Sequence, residues 1–262
     1  MSDLEERVAF VKDLKRFAVE ELGVSQNPSF EKINLKTSWL YAIYVSLPDI
    51  IASPWEGHSG CKCYKADKKE WTARKRQFES YGWHIWPQRW EAEGIAECPI
   101  TKAALKATKT RVAYLILHEN THIHCLINNI ELPRDIEEPL ADCVAYHGAL
   151  LYYQRNNAMI YHIKQEFDQW AKQMKIINKY HSLINEAYSK NPKKVKSLLQ
   201  AVQKELNMSK PANNAFFIAF GRYSLRQFDV FEALRDLHPK EYLQDKGLLY
   251  SRFGHLLPQK AE

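Results

Sequence analysis

The chain has 262 residues, 45% of them hydrophobic and 12% aromatic, which is ample for a real core in one large domain or two small ones and excludes a disordered chain. Its formal charge of +6 comes from 37 basic residues spread along the chain among 31 acids, the pattern of a solvated surface rather than of a nucleic-acid footprint. No stretch approaches the roughly 20 apolar residues of a membrane span, and five cysteines, an odd number, fit free thiols better than a disulfide framework.

The N-terminus, Met1-Ser2-Asp3-Leu4-Glu5-Glu6-Arg7, carries acids where a secretory signal would be basic, and no apolar run follows, so a cytoplasmic location is expected. Leu4, Val8, Phe10, Val11, Leu14, Phe17, Ala18 and Leu22 fall close to helical spacing and predict a helix over 4–22 closed by Gly23. The run from Trp39 to Leu47 is dense in aromatic and β-branched residues and stops at Pro48, which reads as a strand. Shorter strands are expected at Cys61–Tyr64 and Trp83–Trp86, on either side of a charged helical stretch over 68–80. From Thr101 the pattern turns helical: about 102–128, then about 138–175 as one long or two broken helices, then two more after Asn191-Pro192, one of them over 212–237. With no repeat and no sharp composition shift, the expectation is a single α+β domain over 1–262, predominantly α. A small β layer would occupy about 1–100 and a helical part about 101–262.

Within the first long helical segment, His118, Glu119 and His122 spell H-E-x-x-H. On a helix this puts two imidazoles one turn apart on one face, the spacing that a tetrahedral metal ion asks of neighbouring ligands. Glu119 then lies roughly 100° round the helix from His118, within reach of a water on that metal, so it is the candidate general base and Zn2+ the candidate ion. The flanking residues Ala113, Leu115, Ile116, Leu117, Ile123 and Cys125 are apolar, so the polar motif is expected in a buried helix, where it needs partners.

A catalytic zinc needs a third protein ligand and an open position. The His-x-x-Gly-x-x-His extension of the metzincins is absent, and the next candidate is Glu138, which opens Glu138-Pro139-Leu140-Ala141-Asp142. This E-x-x-x-D resembles the gluzincins, the thermolysin-like class, in which the Glu is the third ligand and the Asp supports a zinc histidine. Glu138 and Asp142 would share a helix face, and a carboxylate behind an imidazole fixes its tautomer. Pro139 argues for a helix that starts late, with Glu138 in or just before its first turn. Glu137 and Glu131 remain rival ligands. His124 and His147 should point away from the metal. His58 with Cys61 and Cys63 lacks an evident fourth ligand, and the basic clusters at Lys65–Arg76 and Lys190–Lys196 carry no nucleic-acid reading motif.

Over most of its length the chain resembles a bacterial family of predicted aminopeptidases that carry H-E-x-x-H. The residues that carry the likeness are Phe17–Gly23, Ser59-Gly60-Cys61, Gly94 with Pro99, Leu117-His118-Glu119 with His122, Glu138, and Asn213-Asn214-Ala215 with Tyr223. The resemblance implies that His118, His122 and Glu138 are zinc ligands, that Glu119 is the base, and that the substrate is a peptide or protein. The chain has no Gly-x-Met-Glu-Asn motif, the element that holds the substrate amino terminus in well-known gluzincin aminopeptidases. Tyr223 is the candidate donor to the oxyanion, with Arg222 and His84 as rivals. The expected function is zinc-dependent peptide hydrolysis. The alternatives are an inactive metal-binding relative that serves as an interaction module and, further off, nucleic-acid binding through the basic clusters.

Overall fold

The structure is a computed structural model that describes residues 3–36, 40–54, 61–64, 68–91 and 98–257. In chain order its elements are α1 (Asp3–Glu20), β1 (Ile33–Asn34), β2 (Leu40–Ser46), β3 (Cys61–Tyr64), α2 (Lys68–Ser80), β4 (His84–Trp90), β5 (Ile100–Thr101) and α3 (Lys102–Lys106). There follow α4 (Lys109–Ile127), α5 (Arg134–Tyr152), α6 (Asn157–Lys190), a 3-10 turn at Pro192–Lys194, α7 (Val195–Glu205), α8 (Asn214–Ser224), α9 (Gln227–Leu234), α10 (Pro239–Gln244) and α11 (Lys246–Phe253). The architecture is α+β and mostly helical. Among the described residues, no helix is long and apolar enough to cross a membrane.

The chain divides into two compact units, each assembled from separated segments. The first contains 1–39, 91–168 and 226–262, and the second 40–90 and 169–225.

In the first unit α4 packs on α5, with α1 against α4 and α9 against α5. The shared core holds Leu14 and Leu22 from the N-terminal segment, Ile116, Leu117 and Ile123 from α4, and Leu140 and Val144 from α5. α1 ends where Gly23 takes a φ of +77°, a conformation cheap only for glycine, and Val24 N–H returns 3.0 Å to the Ala18 carbonyl. The segment after it is laid on α4 by buried amides. Asn27 Nδ2 donates to Asn120 Oδ1 at 2.8 Å, and Ser25 N–H donates to His124 Nδ1 at 3.0 Å.

The helical stretch expected over 102–128 is broken at 107–108, because Thr108 caps a new helix by accepting from Arg111 N–H at 3.2 Å. α5 departs further from expectation. It starts at Arg134 rather than at or after Glu138, so Pro139 lies inside it and Glu138 falls in its second turn. Pro133 caps the helix, its carbonyl accepting from Ile136 N–H at 2.9 Å and Glu137 N–H at 2.8 Å. Pro139 therefore removes only the single bond that would return to Asp135, in a first turn where that carbonyl can tilt outward.

In the second unit β3-β2-β4 form an antiparallel sheet with β2 in the middle. Ile43 and Val45 face a cluster with Phe78 of α2 and Ile85, while Ala42 and Tyr44 face Ala219 of α8. Burial on both faces explains why β2 reads as an unbroken apolar run. β4 runs on through Pro87 to Trp90, beyond the expected end at Trp86, because an edge strand has no ladder partner on one side to miss the proline N–H. The helix expected over 212–237 is two, α8 and α9, interrupted at 225–226. Asn213 caps α8 by accepting from Phe216 N–H at 3.2 Å, and Asn214 Nδ2 donates to the Leu47, Pro48 and Ile50 carbonyls at 2.9, 3.2 and 3.0 Å.

Candidate metal centre

α4 has no glycine or proline to interrupt it, so His118 and His122 lie one turn apart on the side covered by α5. Glu138 comes to them from α5. His118 Nε2 and His122 Nε2 are 3.2 Å apart, and Glu138 Oε2 is 3.5 Å from the first and 3.4 Å from the second. All three side chains are buried.

The three atoms form a nearly equilateral triangle, and its edge is informative. A tetrahedral zinc with bonds of about 2.0–2.1 Å separates its ligand atoms by about 3.3–3.4 Å. The donor set, two imidazoles and a carboxylate, is also one that zinc accepts with a position left open. Two imidazole nitrogens at 3.2 Å, both turned toward a carboxylate, require a cation among them, either protons or a metal.

The outer nitrogens are held as well. His118 Nδ1 is 3.0 Å from Asp142 Oδ1, and His122 Nδ1 is 2.7 Å from Glu137 Oε1. Each carboxylate keeps a proton on Nδ1 and so leaves the Nε2 lone pair facing the triangle. Arg134, in the first turn of α5, approaches Glu137 Oε1 at 3.4 Å and Glu138 Oε1 at 3.8 Å, offsetting part of the negative charge.

The electrostatics express the same demand for a cation. Burial alone would lower the His118 imidazolium, but Asp142 and Glu138 outweigh it and push the group up to about 10. For His122, burial is likewise overcome by Glu138 and Glu137, which push it up to about 9. Glu137 is raised by burial yet ends below the usual carboxylate range, because His122 and Arg134 stabilise its charge. Glu119 is half-buried on α4, and its negative charge acts on both His118 and Arg111.

The other candidates lie elsewhere. Glu131 meets Tyr250 through its backbone, its N–H donating to the hydroxyl at 2.9 Å. His124 is taken up by Ser25 and the Leu243 carbonyl, 3.0 Å from Nε2, and His147 lies beside Cys143 and Phe231. Tyr223 belongs to the second unit, where its ring meets Trp170 edge-on at 5.8 Å and packs on the aromatic core of α6 and α8. His84, also in the second unit, accepts from Asn214 N–H at 3.4 Å, and the Arg222 side chain lies outside the described residues. His58 and the side chains of Cys61 and Cys63 lie outside them too, as do Ser59, Gly60 and Gly94. In the basic clusters, Arg74 pairs with Glu70, Lys75 with Glu79 and Lys190 with Glu186, each one turn away on an exposed helix face.

Sequence reading offers Glu137 only as a rival ligand and misses its place on His122. The available signal is a count of partners, since two buried ligand imidazoles need two acceptors for their outer N–H groups and Asp142 supplies one. Comparison of the chain with family models, with curated proteins and with solved structures gave no match.

Proposed function

We propose that the protein is a metal-dependent peptidase of gluzincin type, with His118, His122 and Glu138 as the ligands of one zinc ion and Glu119 as the general base. The observation that carries the reading is the triangle of Nε2, Nε2 and Oε2 atoms with edges of 3.2, 3.5 and 3.4 Å, matched to the zinc tetrahedron. When bound, zinc supplies Lewis acidity to a carbonyl oxygen and makes a water nucleophilic near neutral pH.

The residues of the chain do the rest. Asp142 and Glu137 hold the two imidazoles in the tautomer that presents Nε2 to the ion. Glu119 follows His118 directly on α4, about 100° round the helix, where its carboxylate would take a proton from the attacking water and return it to the leaving amine. Arg111 shares the field of Glu119 and is itself anchored on Glu91 Oε2 at 3.1 Å. A peptide bond is the proposed substrate because base, Lewis acid and open coordination position together meet the needs of amide hydrolysis, and because of the family resemblance.

The test is metal analysis of the purified protein together with peptide hydrolysis in the presence and absence of a chelator. One zinc per chain and chelator-sensitive cleavage are expected. A chain that takes no stoichiometric metal refutes the reading, and one that binds zinc without cleaving any member of a diverse peptide mixture reduces it to a metal-binding module.

A further inference from the structure

Four residues before His118, on the same face of α4, stands Tyr114. Its ring stacks on the His118 imidazole, with centroids 5.5 Å apart and planes 26° from parallel. Its hydroxyl donates to Asp142 Oδ1, the same oxygen that faces His118 Nδ1 at 3.0 Å. Behind Tyr114, one turn earlier, the Arg111 guanidinium lies 5.4 Å from the ring centroid. Arg111, Tyr114 and His118 thus form a stack along one helix, and the middle member also reaches across to α5.

We propose that Tyr114 is a positioning residue that fixes the orientation and tautomer of the His118 imidazole through Asp142. The carboxylate of an aspartate turns about a broad, weakly hindered torsion, so one bond from an imidazole does not by itself fix its plane. A second donor to the same oxygen, carried on a ring already clamped between Arg111 and His118, removes that freedom. With Asp142 pinned, the proton stays on His118 Nδ1, and Nε2 is held toward His122 and Glu138. Nothing in the H-E-x-x-H pattern requires an aromatic hydroxyl four residues upstream, so this is a feature of this chain's own packing.

The inference rests on the proposed metal centre for its consequence, but it can be read without metal. Tyr114→Phe keeps the ring, its stacking and its volume and deletes only the hydroxyl. In metal-free full-length protein with 15N-labelled histidine, the substitution should move the Nδ1 signal of His118, the nitrogen that faces Asp142 whether the ring carries one proton or two, with the signal assigned by its loss in His118→Ala, and leave those of His124 in place. Unchanged His118 signals in Tyr114→Phe overturn the inference whether or not the protein binds metal. In the second arm, zinc affinity measured by competition with a chelator should fall about three- to tenfold, below the 10–100-fold typical when a group touching a ligand is lost. Adding Tyr114→Phe to Asp142→Ala should then cost nothing further, because Asp142 carries the effect. Independent, additive losses, or a native zinc affinity in Tyr114→Phe, would overturn the route through Asp142. A wild-type chain without stoichiometric zinc would refute the proposed function, and the role of Tyr114 would then stand or fall on the metal-free spectra.

Discussion

Glu137 Oε1 lies 2.7 Å from His122 Nδ1, one residue before the Glu138 whose own carboxylate faces the Nε2 atoms of both histidines. Adjacent residues on one helix therefore serve opposite ends of the same imidazole. Sequence alone makes them competitors for one role, whereas their roughly 100° separation round α5 lets them take two. Glu137→Ala is accordingly expected to weaken zinc about 10–100-fold, and Glu138→Ala to weaken it further. Chelator competition on the two variants checks the order. A native affinity in Glu137→Ala would make its contact with His122 incidental.

His118→Ala and His122→Ala should each abolish stoichiometric zinc, while Glu119→Gln keeps the metal and loses hydrolysis. Metal analysis and peptide turnover on the same preparations make the comparison. A Glu119→Gln chain that still cleaves peptides removes Glu119 as the base.

Zinc affinity should rise with pH. In the metal-free protein His118 and His122 are pushed up to about 10 and about 9, so at pH 7 the site holds protons that zinc must displace. Calorimetry in buffers of different ionisation enthalpy should record between about one and two protons released per zinc ion. For the metal-free fold the sign is opposite. Raised imidazole values stabilise it fully below the unfolded value of about 6.5, and that contribution fades as pH climbs through 9 to 10. Denaturant unfolding of metal-free protein at pH 6.5 and pH 10 tests this, and no loss of stability across that window would count against both shifts.

Asn120→Ala should cost stability without cost to the metal. It removes the acceptor 2.8 Å from the buried Asn27 Nδ2 and leaves that amide only the Ser25 carbonyl at 3.0 Å, a loss of one buried hydrogen bond, about 1 kcal/mol or somewhat more. Urea unfolding measures the loss. A fall in zinc stoichiometry in the folded variant would show that Asn120 supports the site as well as the fold.

Tyr223→Phe tests the proposal, made from the sequence, that Tyr223 donates to the oxyanion. As an oxyanion donor its loss should lower turnover about 10²–10³-fold with zinc content unchanged. An unaltered rate leaves the residue to the aromatic core that surrounds it.

What is legible in the sequence is periodic. The i, i+4 spacing places His118 and His122 on one face, and the next helix offers Glu138 and Asp142 on one face of its own. What stays hidden depends on partners remote in sequence or on local exceptions. Pro139 reads as the limit of a helix, yet a proline near an N-terminus removes one bond and is carried by the packing of Leu140 and Val144. Thr108 is a capping residue inside a stretch that reads as continuous helix, where apolar spacing alone does not register a break. Glu137 is invisible as a support because its partner, His122, is fixed only once α4 and α5 are laid together.

The segmented make-up of the first unit bears on how the protein is made. The chain leaves that unit after residue 39, returns at 91, leaves again after 168 and returns at 226. Every residue of the proposed centre has been synthesised by Asp142, but α9, which packs on α5, follows only at Gln227–Leu234. A nascent chain therefore holds its ligands for some 80 residues of synthesis, roughly 4–16 s at 5–20 residues per second, before the helix that covers α5 exists. The second unit has its whole sequence by residue 225 and can fold while the first waits. Arrested chains ending before residue 226 should thus show a protease-resistant second unit and a first unit still open to cleavage.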